Sequence, residues 1–548
     1  MKNKNRNRGT LLFFSVLFLL LIFFIIKDHS FREIIKVPEE EMAGEDVSFK
    51  EAEKLQPEME AEISGENFPF RAWHNEEDEN YYFFLPGYMK DKNEWELSFS
   101  QETMETRQNN YLDIELSDIP VVYIEVETGS FDAVKESKEN KGKISFSIFT
   151  ENEGVAQSRL KGMIKARGNA SFNAPRYKKS YTIKLDENTG FLDMKKGSEW
   201  VLLAHYYDDT HLRDFLTFDM AERLEMAYVP KGKLVNLFVD GEFEGIYFLC
   251  EKPGISPEKI NITNLEELME ETIPESALKK YPYTRSGIRG GQKVAVEKGY
   301  VAHEGRLDNT GGYLLELEWL KDRYNEEKSG FTSNANQCVV IKSPEYATSS
   351  QVSYIKNYYQ QFEEALRRSI QENSQEYLDY IDLDSFVKKY LVEEVSKNMD
   401  ANMSSQYLYK DIDSIDAKFY AGPVWDYDRA YDNKVGDVNN RGAAMFWVNQ
   451  GSAGFDFWKK LYETEVFRNR VRELYEEKLS LALLEYADEK LWEWGEEIHD
   501  SVIADMFRYQ SEYEEKMDEE ARLSQEMKAL SEFIKERKAF LDGEWITN

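Results

Sequence analysis

Cysteine is nearly absent. With only Cys250 and Cys338 in 548 residues and no C-x-x-C pair, the chain has neither a disulfide scaffold nor a thiolate zinc or redox motif. One bridge between the two cannot be deduced from sequence. His205 and His211 form no H-E-x-x-H pattern and there is no G-x-S-x-G elbow, so nothing supports a zinc protease or a serine hydrolase. A Walker A motif and a complete G-x-G-x-x-G are also missing, and no internal repeat is evident. Positive charge is in deficit: 69 Lys and Arg against 103 Asp and Glu give a formal net charge of -34. Most of this surface repels nucleic acid, and no such partner is expected.

What is present falls into five stretches. Lys2, Lys4, Arg6 and Arg8 precede an uncharged run of 17 residues from Thr10 to Ile26, at the lower end of what crosses a bilayer as a helix. A cleaved signal peptide competes with this reading, but no small-x-small pattern closes the run. Residues 1–27 are therefore predicted to be a cytoplasmic basic tail and an uncleaved signal anchor, with the remainder beyond the cell membrane. Residues 28–68 are Glu-rich and self-repelling, a solvated spacer. Residues 69–118 carry Trp73, Tyr81, Tyr82, Phe83, Phe84 and Trp95 among turn residues and are predicted to be a β-rich lead-in.

From residue 119 the patterning is mixed, and the predicted class is α+β. IPVVYIEVETG reads as a buried strand and ISFSIFT alternates as a half-buried one. SYTIKLD is a strand in which Ile183 and Lys184 take opposite faces. An amphipathic helix is expected over about 210–225, then two strands, KLVNLFVDG and EFEGIYFLCE, joined by a DGEF turn. GGYLLELE places Glu316 and Glu318 on one face, solvated by default, with Glu316 able to reach a site. The last stretch, 471–548, is charged and heptad-like; Leu481, Leu484, Trp492 and Trp494 are predicted to face the core.

Two acids, Asp400 in NMDANMSS and Asp426 in VWDYDRAYD, each lie in an aromatic, strand-like surrounding. If they face one cleft, one can orient a hydroxyl and the other hold a divalent metal, the minimum equipment for phosphoryl transfer.

RGNASF followed by YKKSYTIKL, then WVLLAHYYDDTHLRDFL, VNLFVDGEFEGIYFLCEK, GGYLLELE, VVIKSPE and VWDYDRAYD resemble, in order, the motifs of the CotH family, the spore coat protein H type of atypical protein kinase. The resemblance implies a divergent, two-lobed kinase-like fold over residues 119–470, ATP-dependent phosphorylation of Ser or Thr in a protein substrate, and Mg2+ or Mn2+ as cofactor. It makes Asp400 the acid that orients the acceptor hydroxyl, and Asp426 the metal ligand, with Asp428 a second ligand or a brace for Arg429. It likens Lys184 to the nucleotide-binding Lys, with Lys179 as the alternative, and Glu222 to its pairing acid. Arg167 and Gly168 would approach phosphates, and backbone amides near Cys250 and Glu251 would contact adenine. Where kinases carry a metal-binding Asn, five residues after the catalytic Asp, this chain has Ser405, and Asn402 and Gln406 are the candidate substitutes. The competing readings are a catalytically silent surface module for binding or envelope assembly, and a kinase fold that transfers another group such as AMP or glutamate.

Overall fold

The computed structural model describes residues 119–547, apart from 151–153, 169–170, 174–177, 290, 303–306, 319–320, 403, 434–441, 451–455 and 510–517, together with short segments before residue 119, among them strands at Tyr81–Pro86 and Leu112–Ser117. The expected anchor and most of the acidic spacer lie outside the described residues. Among the described residues no helix is long and apolar enough to cross a membrane.

Seven strands close into a barrel: β1 (Val121–Thr128), β2 (Gly142–Thr150), β3 (Gly154–Arg167), β4 (Ser180–Thr189), β5 (Gly197–Leu203), β6 (Gly232–Val239) and β7 (Glu242–Glu251), in the spatial order β4-β5-β7-β6-β1-β2-β3. Only β6 and β1 pair in parallel. Period-two alternation sends Tyr181, Ile183 and Leu185 of β4 into the interior, where they meet Phe146, Trp200 and Tyr247. Lys184, between two of them, is exposed. The predicted turn between β6 and β7 is a two-residue loop: Asp240 and Gly241 both have positive φ, 51° and 91°, the combination that matches strand twist in a tight hairpin. The outer wall of β5 and β7, with Val201, Phe248 and Cys250, packs on helix α1 (Arg213–Arg223) through Leu212, Leu216 and Phe218. Cys250 and Cys338 are both buried thiols.

A second sheet also has seven strands: β8 (Pro282–Arg289), β9 (Gln292–Tyr300), β10 (Tyr313–Glu318), β11 (Gly330–Thr332), β12 (Cys338–Ser343), β13 (Gln406–Lys410) and β14 (Phe419–Ala421), ordered β8-β9-β11-β12-β10-β13-β14. A short helix, α2 (Lys321–Glu326), follows β10. Glu316 and Glu318 of β10 do not form the solvated face expected of them, because β10 is flanked by β12 and β13 and both acids are drawn inward. Helices α3 (Ser349–Glu372) and α4 (Leu383–Ser396) cover this sheet, with Tyr359, Phe362 and Phe386 meeting around Phe419. A capping box at Thr348 and Gln351 starts α3. Asp382 caps α4, and Lys397 ends it in the left-handed conformation.

The C-terminal helices include α5 (Phe457–Glu463), α6 (Glu465–Leu474), α7 (His499–Arg508) and α8 (Glu519–Asp542). Their apolar face is not the one expected: Leu481 is 80 % exposed, and Leu484 and Trp492 are exposed too, whereas Leu479, Leu483, Tyr486 and Leu491 are buried. Of the four predicted residues only Trp494 packs inward, against Phe215. The cause is two π-helical turns, Tyr475–Leu479 and Tyr486–Lys490, which widen the helix locally and rotate the buried stripe out of the 3.6-residue phase. Helix α7 grips the barrel: Asp505 accepts from Lys178 at 2.5 Å and from the Ile246 amide at 3.0 Å. A Cβ at Gly245, whose φ is 103°, would lie 2.0 Å from Asp505 Oδ1, so only glycine fits there.

Candidate active site

The left-handed turn at Lys397 throws the chain from α4 into a 3-10 turn, Met399–Asn402. Within it the Asp400 amide donates to Asn398 Oδ1 at 3.0 Å, and Trp447 Nε1 donates to the Asn398 carbonyl at 2.5 Å. The chain then runs out along β13 and back along β14 to Gly422, whose φ of 122° turns it towards Asp426. Asp426 itself has a φ of 71°, a conformation that costs a non-glycine residue on the order of 1–3 kcal/mol and is kept only where surroundings enforce it. The enforcement is visible. The Tyr427 amide donates to Asp214 of α1 at 2.7 Å, and the Tyr427 hydroxyl lies between Glu393 at 2.6 Å and Lys389 at 2.8 Å, both on α4. Ser405 Oγ donates to Asp426 Oδ2 at 3.2 Å.

The two acids therefore meet, and they do not meet alone. Burial and then Asp214 push the Asp426 carboxyl up, against the Ser405 hydrogen bond, Arg167 and Arg323. Burial and the neighbouring Asp426 charge raise Asp400 to about 7, opposed by Arg429 and Arg323. Asp428 is pushed well above the carboxylate range by burial, then by Asp426, Asp214, Asp400 and Asp208. A close group of acids faces three arginines, Arg167 from β3, Arg323 from α2 and Arg429 from the loop of Asp426 and Asp428 itself.

Arg167, at the end of β3, leans over the Trp425 ring at 5.3 Å, and its Nη1 is buried without a hydrogen-bond partner. It lies near enough to Asp426 for its charge to act on that carboxyl. Gly168 follows with a φ of 102°, and a Cβ there would lie 2.4 Å from Ser171 Oγ, so the turn requires glycine. Lys184 is not brought to the carboxylates. It is exposed opposite Glu199 in the β4–β5 register. Burial disfavours ionised Glu199, but Lys252 and then Lys184 outweigh it and hold that carboxyl low. Strand alternation explains the displacement, since the inward positions on either side of Lys184 fill the barrel core. Lys179 is buried and donates to the Phe172 carbonyl at 2.8 Å, bracing the loop after Gly168.

Glu222 does not face the site; it pairs with Lys231 on the exposed side of α1. The acid of that helix that does is Asp214, two turns earlier, with His205 Nε2 3.1 Å from its other oxygen. Glu251 ends β7 with its amide donated to the Lys231 carbonyl at 2.9 Å and its carboxylate accepting from the Lys231 amide and Tyr228, so that amide is already committed and is not open to adenine. Gln406 donates to Glu393 and belongs to the buried network behind Tyr427. Asn402 lies in the turn after Asp400, but its side chain is outside the described residues. Arg323, on α2, has no sequence signal at all; it arrives from the second sheet and donates to Ser404 Oγ at 3.3 Å.

Among the described residues no three His, Cys, Asp or Glu side chains gather closely enough to hold a metal by themselves. The donor set nevertheless suits Mg2+ or Mn2+. These cations take oxygen ligands and in nucleotide sites use one or two carboxylates, with phosphates and water completing the shell. Clustered carboxylates that raise one another fit a site that receives positive charge.

A model of the CotH kinase protein family matches residues 164–541. A search of curated proteins finds no match.

Proposed function

Because the chain belongs to the CotH kinase protein family, we propose that it transfers the γ-phosphate of ATP to Ser or Thr of envelope, surface or spore-coat proteins on a divergent two-lobed kinase-like fold. The observation that carries the reading is the convergence of Asp400 and Asp426 from either end of the β13–β14 hairpin, within one group of mutually repelling acids. Asp400 accepts a hydrogen bond from the substrate hydroxyl. It takes the proton as that oxygen bonds to the γ-phosphorus and the bond to the bridging oxygen of ADP breaks. An acid raised to about 7 is suited to taking and releasing a proton near neutrality. Asp426 would hold Mg2+ or Mn2+, which supplies neutralisation of charge on the transferring phosphate. Arg167 from the barrel, with a free Nη1, is the cation placed to meet nucleotide phosphates, and it takes the role that the motif order assigned to Lys184.

The test is phosphate transfer from γ-labelled ATP by the purified full-length protein with Mg2+ or Mn2+. Loss of transfer in both Asp400→Ala and Asp426→Asn supports the assignment. Transfer at the wild-type rate in Asp426→Asn removes the metal role. The exposure of Lys184 favours one second reading, a silent module that binds without catalysis; such a protein gives no Mg2+-dependent thermal shift with ATP. The anchor at residues 10–26 would hold the active part outside the cell membrane, which protease treatment of intact cells tests.

A further inference from the structure

Ser405 stands at the junction of the two site loops and is held there by a residue from another strand. Its φ of 56° is left-handed, an unfavourable state for a residue with a Cβ. Two bonds hold it. Its amide donates to Glu316 Oε1 at 3.3 Å, and its hydroxyl reaches Asp426 Oδ2 at 3.2 Å. Glu316 comes from β10, beside β13, in register with Tyr407. Its second oxygen is 3.3 Å from Lys342 Nζ, which is also 3.2 Å from Glu327. The clamp on Ser405 is therefore itself braced from the second sheet. The preceding Ser404 is tied to the same sheet region by Arg323.

The spacing at this junction has a chemical meaning. Neighbouring oxygens on an octahedral Mg2+ with bonds of about 2.0–2.1 Å lie about 3 Å apart. The Ser405 hydroxyl and the Asp426 carboxylate are already at nearly that separation, and Ser405 is buried. A serine hydroxyl is a competent ligand for this cation, coordinating through a lone pair while keeping its proton.

We propose that Ser405 Oγ and Asp426 Oδ2 form a two-oxygen edge of the divalent-cation site, and that Glu316 is the positioning residue that sets the edge by holding the Ser405 amide. The assignment rests on the reading that Asp426 holds the cation. In this assignment the hydroxyl supplies the second protein oxygen beside the one Asp426 gives.

The measurement is a Mn2+ titration of the full-length protein in the presence of ADP, followed by electron paramagnetic resonance, with circular dichroism to confirm folding. Wild type binds, Asp426→Asn does not, and Ser405→Ala weakens Mn2+ by about tenfold or more. Ser405→Asn, which keeps an oxygen and tolerates the left-handed backbone, recovers part of the loss. At Glu316 the order of two variants is diagnostic. Glu316→Gln keeps an acceptor for the Ser405 amide and stays near wild type. Glu316→Asp keeps the charge towards Lys342 but withdraws the acceptor, and it weakens Mn2+. The reverse order overturns the positioning role, and wild-type affinity in Ser405→Ala overturns the shared edge while leaving Asp426 in place. Absence of Mn2+ binding in the wild type itself overturns both this assignment and the reading of Asp426.

Discussion

Buried acids occur on both sides of the α4 helix end, and they are treated differently. Behind the site, Glu393 is paired with Lys389, and Glu394 with Arg537 at 2.6 Å, every one of these side chains almost wholly buried. In front of it, Asp400, Asp426 and Asp428 have one another as neighbours, and their countercharges are Arg429 of the same loop and two arginines, Arg167 and Arg323, reaching in from other elements. A buried charge that only serves the fold is matched locally, because an uncompensated one is costly. Carboxylates crowded together at a cleft cost stability and make sense when charge arrives with a ligand.

The sharpest way to test that contrast is to neutralise one acid on each side. Asp426→Asn is expected to reduce phosphate transfer by at least about a thousandfold. Because it relieves like-charge repulsion, it should leave the thermal midpoint without metal unchanged or higher, a combination that calorimetry and the transfer assay check together. Arg537→Met strands Glu394 and removes the donors to the Glu394, Ala443 and Met445 carbonyls. Urea unfolding should register a loss of ~3–5 kcal/mol. Tyr427→Phe keeps the ring and deletes only the hydroxyl between Glu393 and Lys389; it should cost ~1–3 kcal/mol and weaken Mn2+ binding through the loosened Asp426 turn.

The smallest effect belongs to a paired charge at the surface. His499 is raised to about 10 by hydrogen bonds to Asp500 and Glu520. Its folded value lies above the ordinary one of about 6.5, so its stabilisation is complete below about pH 6.5 and is lost as pH rises through about 10. The midpoint difference between wild type and His499→Gln should therefore be largest at pH 6 and vanish at strongly alkaline pH.

The parts of the site legible in the sequence are those carried by local order: Asp400 after a capped helix, Asp426 after a hairpin, Arg167 before a glycine turn. The parts that were not legible depend on pairing across distance. Glu316 was readable as an acid able to reach a site, but its partner was not: it meets Ser405 only because β10 lies beside β13, with about ninety residues between the two side chains in sequence. Arg323 likewise reaches Ser404 from a separate helix. Lys184 and Arg167 are both basic residues on adjacent strands, and alternation alone does not say which end of the barrel wall faces the acids. In the C-terminal region the helices were readable but their phase was not, since a π turn leaves no plain mark in residue type.

The grip of Asp505 on the Ile246 amide and Lys178 has a practical corollary for anyone who shortens this chain. The barrel, formed by the first part of the fold, has one wall completed by a side chain more than 250 residues further on. Cutting before α7 would take from the buried Lys178 the carboxylate it pairs with and leave a bare glycine notch in β7. The smallest autonomous unit must therefore run at least through Tyr509, whose hydroxyl also closes on the Glu244 carbonyl.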